Sequence, residues 1–118
     1  MTHTAVSIPQ TDIEALEQLY TLRGQTEVLQ FLEQYPFLIS VLLEAPEKIR
    51  HYFPDSQLFL EVSIDPEITD YAQMVLSILM NLDPYNAVAR LNQLDMDWWL
   101  NNTSHEVRRQ LFTLLEYP

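Results

Sequence analysis

The chain has no cysteine, so disulfides and thiolate metal sites are excluded. It has one glycine, Gly24, which rules out the glycine-rich loops that cradle phosphates. Bases are scarce, six against 17 acids for a net charge of −11. Of Arg23, Lys48, Arg50, Arg90, Arg108 and Arg109, only the last two adjoin. Without clustered cations to displace counterions, direct nucleic-acid binding is not expected. Long apolar runs are also missing. Phe37–Leu43 and Met74–Met80 are each broken by a serine, and both fall far short of the ~20 residues of a membrane helix. Met1–Gln10, MTHTAVSIPQ, lacks the charged and apolar pattern of a secretory leader. The expectation is therefore a cytoplasmic, membrane-free protein.

What is present suits one domain. The 118 residues are 47% hydrophobic and 19% charged, ordinary globular values that can bury a real core. Residues 1–53 carry seven acids and three bases, 54–97 eight and one, and 98–118 two of each. The field is strongest in the middle third, which favours a basic partner over an acidic one.

Periodicity gives an α+β order, with residues 1–10 as a flexible tail and 11–118 as a single domain. Thr11 and Glu14 match a capping box, and Ile13, Leu16, Leu19 and Tyr20 continue a helix that Gly24 would stop. A short helix follows over Thr26–Gln34. Pro36 suits the first position of a third helix, whose stripe Leu38, Leu42, Ala45, Ile49, Tyr52 and Phe53 crosses Pro46, where a kink or restart is expected. The period then changes to two. Leu58, Leu60, Val62 and Ile64 mark a half-buried strand, and Asp65–Ala72 a polar loop. Met74–Leu82 reads as a central strand covered on both faces. Asp83-Pro84 starts a helix that buries Ala87, Val88, Leu91, Leu94 and Trp98. Asn101–Ser104 ends it, and Val107–Tyr117 is the last strand. The expected architecture is N-terminal helices followed by a ββαβ unit, with a three-stranded mixed sheet in the order 1-2-3.

FLEQYPFL (Phe31–Leu38), EAPEKIRHYFP (Glu44–Pro54), LFLEV (Leu58–Val62) and DMDWWL (Asp95–Leu100) resemble a group of small, acidic, uncharacterised cyanobacterial proteins. The resemblance implies a bacterial, intracellular setting and the same element order. It brings no catalytic residue with it.

No arrangement amounts to a catalytic site, and neither a cofactor nor a metal is expected. Ser104-His105-Glu106 is consecutive, so nucleophile, base and orienter cannot align. Asp95 and Asp97 are two apart, and such helix neighbours diverge. Trp98 continues the buried stripe; Trp99 either joins it in the core, since aromatics dominate core energetics, or is a partner contact, in which case its replacement by alanine should leave folding largely intact. Phe59, Glu61 and Ser63, beside Val75, Ser77, Leu79 and Asn81, define a second sheet face of mixed chemistry. It is open to a partner unless the last helix covers it. The expectation is a non-enzymatic protein–protein interaction module, antitoxin- or adaptor-like. A small-molecule site or enzyme on that face, or a homodimer through the face or the last strand, are the alternatives.

Overall fold

The computed structural model describes residues 8–64 and 72–118. Its elements are α1 (Gln10–Leu19), β1 (Thr21–Arg23), α2 (Gln25–Gln34), α3 (Leu38–Tyr52), β2 (Gln57–Ile64), β3 (Ala72–Leu79), α4 (Pro84–Leu94), a π turn (Asp95–Trp99), α5 (Leu100–Asn102), α6 (His105–Gln110) and β4 (Leu111–Glu116). The α+β class stands, but among the described residues the sheet has four strands rather than three, in the order β1-β2-β3-β4. β1 pairs parallel with β2, β2 antiparallel with β3, and β3 parallel with β4. The expected polar loop falls on residues 65–71, outside the described residues.

The extra strand corrects the reading of the first helix. α1 begins at Gln10 with Pro9 as its cap and no side-chain cap bond, so the Thr11 box is not used. It ends at Leu19 because Tyr20 turns extended, and Thr21-Leu22-Arg23 then lies beside Phe59-Leu60-Glu61. Gly24 does take the left-handed conformation, at φ 80°, but as the N-cap of α2. Here glycine avoids the Cβ–carbonyl clash that other residues meet.

Pro36 lies in a turn, and α3 starts at Leu38. Pro46 neither ends nor splits α3, which runs unbroken to Tyr52. Its missing N–H leaves the Leu42 carbonyl without its helical donor. The buried Tyr20 hydroxyl donates to that oxygen at 2.6 Å. A side chain from the neighbouring segment thus satisfies the group that proline orphans.

β3 is central and antiparallel to β2, as the sequence suggests, though it stops at Leu79. Asp83 caps α4 by accepting the Asn86 N–H. Val88, expected in the core, is 48% exposed. The last strand is shorter than expected, because residues 105–110 form α6. Ser104 accepts the Val107 N–H as its cap, and Arg108 and Arg109 fill its last turn, where cations suit the helix dipole.

The strand register sorts the sheet into two faces. Leu22, Leu60, Leu76 and Thr113 form one row across it. Leu58, Leu60, Met74, Leu76, Ile78 and Leu111 join the buried cluster with Leu16, Leu32, Leu42, Ile49, Leu94 and Val107 from the helices. This is the inner face. Ile8, just before α1, also packs against the cluster. Among the described residues no single helix is long and apolar enough to cross a membrane.

Candidate functional site

The opposite, outer face is where the sequence places most candidate residues. Alternation along each strand and the register give rows Thr21–Phe59–Ser77–Leu114, Arg23–Glu61–Val75–Phe112 and Gln57–Leu79–Glu116, with Ser63 opposite Gln73. Phe59, Glu61, Ser63, Ser77 and Leu79 therefore share one surface. Among the described residues, none of Phe59, Val75, Leu79, Phe112 and Leu114 belongs to the core cluster or packs against it. The helical layer lies on the inner face, and the expected covering of the outer face by α4 does not occur among these residues. Phe59, Leu79 and Phe112 are half-buried, and Leu114 is 46% exposed. Val75 and Ser77, on the central strand between large neighbours, are nearly sealed.

Among the described residues, one ion pair spans this face. From the edge strand β1, the Arg23 guanidinium lies over the Phe59 ring, 4.0 Å from its centroid. It reaches Glu116 on the opposite edge strand through two bonds, Nη1 to Oε2 at 2.6 Å and Nη2 to Oε1 at 2.9 Å. The bidentate fork fixes the arginine's plane against the ring. Those hydrogen bonds, helped by the Ser77 hydroxyl, hold the Glu116 carboxyl below the usual carboxylate range. Burial opposes the shift, and the two side chains remain 35% and 26% exposed. The arch is therefore wet at its edges and can be opened.

Asp95 and Asp97 lie elsewhere, on the π turn. Such a turn closes i→i+5 bonds and rotates less per residue than an α-helix, roughly 80° instead of roughly 100°. That decides between the two readings of Trp99 in favour of the core. The smaller rotation carries Trp98 and Trp99 inward together, and both join the core cluster at 7% and 8% exposure. Asp97 accepts a hydrogen bond from the Tyr52 hydroxyl, and Trp98 Nε1 donates to Glu44 at 3.3 Å. Burial pushes the half-buried Asp95 carboxyl up. Between the end of α3 and the π turn lies a groove of about 680 Å³, with Glu44, Lys48, His51, Tyr52 and Asp97 among its walls. Asn81 sits apart from the sheet face, beside Phe53, Asp55 and Arg90 in a hollow of about 370 Å³.

Arg23, Phe112, Leu114 and Glu116 are the outer-face residues that sequence reasoning missed. The 112-114-116 alternation was the available signal for three of them. Arg23 had none, because a three-residue strand has too few positions to show a period. Among the described residues, no group of three His, Asp or Glu side chains comes together to hold a metal. Comparison of the chain with protein-family models, curated proteins and solved structures gave no match.

Proposed function

We propose that this chain is a non-enzymatic module that binds another protein on the outer face of its sheet, and that the partner is basic. The observation that supports this reading is the partition of the sheet. Phe59, Leu79, Phe112 and Leu114 contribute nothing to the core among the described residues, yet they line one continuous surface with Glu61 and Ser63. Apolar anchors among polar groups are the usual composition of a docking surface. The Arg23–Glu116 arch over Phe59 adds a mechanism. An arginine from a partner would find the same carboxylate and the same ring face, so it could replace Arg23 without leaving either unsatisfied. The net charge of −11 steers such a partner toward the surface.

The test compares the wild-type chain with Phe59→Ser and Glu61→Lys as baits for capture, at about 0.1 M and about 1 M salt, where screening lengths are about 10 Å and about 3 Å. Proteins held by wild type, lost from both variants and released by salt are the expected result. Identical captured sets from all three baits would remove the reading. Small-ligand binding is a second reading, favoured by the groove between α3 and the π turn, whose volume falls in the ligand range of about 300–1,000 Å³. A thermal-shift screen tests it, with loss of the response in Tyr52→Ala as the discriminating result.

A further inference from the structure

β4 closes one edge of the sheet, and its backbone has a defined polarity. Glu116 accepts from the Met80 N–H on the β3 side. Because N–H and C=O of one strand residue point the same way and alternate along the chain, Phe112, Leu114 and Glu116 bond to β3. Thr113 and Leu115 therefore present both groups to the free edge. Leu111 presents only its carbonyl there, since its N–H donates to Val107 as the cap of α6. Among the described residues no backbone bond reaches the outward groups of Thr113 or Leu115. The other edge, β1, is only three residues long, which itself discourages pairing. β4 has six residues, LFTLLE, with no lysine, proline or bulge to protect it.

We propose that the β4 edge pairs antiparallel with β4 of a second copy, about a two-fold axis at Thr113, joining the two four-stranded sheets into one. Three observations favour a second copy as occupant. First, one register satisfies every pair. With Thr113 opposite Thr113 of the second copy, Phe112 meets Leu114 on the outer face and Leu111 meets Leu115 on the inner face. Aromatic–aliphatic, aliphatic and Thr–Thr pairs are all favourable across strands. A two-residue change in summed register would set Phe112 against either a second Phe112 or the carboxylate of Glu116, and Leu114 against Gln110 or itself.

Second, the hydrogen bonds match. Thr113 exchanges both its bonds with its mate, and each Leu115 N–H reaches a Leu111 carbonyl, which is the only outward group Leu111 has left; only the Leu115 carbonyl then faces water instead of a strand donor. Third, residues 98–118 carry two acids and two bases. This is the one segment of the three without excess negative charge, so two copies can approach here with the least repulsion. The pairing also places the outer faces of the two copies side by side, with Leu114, at 46% exposure, covered at the seam.

The absence of cysteine makes the test clean. At the axis the two Thr113 Cα atoms would lie roughly 5.5 Å apart, within the span of a disulfide. Thr113→Cys should therefore form a covalent dimer of twice the 13.9 kDa chain mass under mild oxidation. Ser40→Cys, on the solvent side of α3, should stay monomeric. Sedimentation of the wild-type chain should show a reversible dimer. Thr113→Pro removes one outward N–H per copy without touching the β3 ladder, and should weaken the dimer at least about tenfold. Leu114→Glu, which puts a carboxylate opposite Phe112, serves as the second variant and should weaken it similarly if the proline variant fails to fold.

A wild-type chain that stays monomeric at high micromolar concentration overturns the proposal, as does equal cross-linking of the 113 and 40 cysteines. This outcome is separable from the partner reading. A monomer that still loses its captured proteins on Phe59→Ser overturns edge pairing alone, whereas a β4 dimer whose captured proteins are unchanged by Phe59→Ser overturns only face binding.

Discussion

Removing one oxygen atom, Tyr20→Phe, tests how α3 tolerates proline at its centre. In the native chain the Tyr20 hydroxyl donates to the Leu42 carbonyl at 2.6 Å, and Pro46, four residues on, has no N–H to offer that oxygen. The variant keeps the ring and its packing but leaves a buried acceptor without a donor, a loss of about 1–3 kcal/mol. In this size of domain that is a fall in Tm of about 4 °C per kcal/mol. The double-mutant cycle isolates the cause. Pro46→Ala restores a helical N–H to Leu42, so in that background Tyr20→Phe should lose less than about 1 kcal/mol, giving a coupling of about 1–2 kcal/mol. The pH dependence supplies a second check. Burial pushes the Tyr20 phenol well up, against the opposing charge of Arg50. A raised folded value means this stability is fully present below about pH 10, the unfolded value, and is lost as pH rises beyond it. Wild type should weaken above about pH 10 more steeply than Tyr20→Phe. Urea titrations of the four chains measure all of this. Equal losses in the two backgrounds would refute the account of Pro46.

Three further outcomes follow from other sites. Gly24→Ala should lose about 1–2 kcal/mol, because φ 80° is strained for any Cβ-bearing residue, and Gly24→Asn should lose less. The added Cβ would also meet Glu27 Oε1 at 2.8 Å, but that carboxylate can swing aside. Trp99→Ala should lose about 3–5 kcal/mol and disturb folding, so a variant with unchanged denaturation would place the ring at the surface after all. Arg23→Gln should destabilise by at most about 1 kcal/mol near neutrality. Since the Glu116 carboxyl is held down by Arg23, the contribution exists above the unfolded glutamate value of about 4.3 and disappears as pH falls through the lower folded value. Wild type and variant should therefore converge in acid.

The sequence carries the long features of this fold because they repeat. Leu58, Leu60 and Val62 alternate for long enough to identify a strand and its inner face, and Asp83-Pro84 marks a helix start that the structure places at that point. β1 was invisible because three residues cannot show a period and its partner lies far along the chain. α6 was misread as strand because Val107 and Leu111 fit both periods at that length, and only the Ser104 cap separates them. The π turn gives no composition signal, so the sequence could offer burial of Trp99 as a reading but not the rotation that brings it about. Most of the outer face was legible from the alternation of β2 and β3. Its ion pair was not, since Arg23 and Glu116 are 93 residues apart in sequence and meet only because β1 and β4 are the two edges of one sheet.

Charge and sheet geometry together make opposite demands on salt, which separates the two proposed contacts. Two copies of a chain with net charge −11 repel through their bulk even when the touching strands are neutral. The β4 pairing consists of backbone bonds and apolar pairs, which salt does not weaken by screening. Raising ionic strength from about 0.1 M to about 1 M should therefore tighten the dimer, as the repulsion between the two bodies is screened over a few ångströms. A basic partner on the outer face is drawn by the same field, so its complex should weaken over the same range. Sedimentation and capture in matched buffers measure both slopes. If the dimer loosens with salt, ion pairs hold it and the Thr113 axis is wrong, because no charged residue faces another in that register.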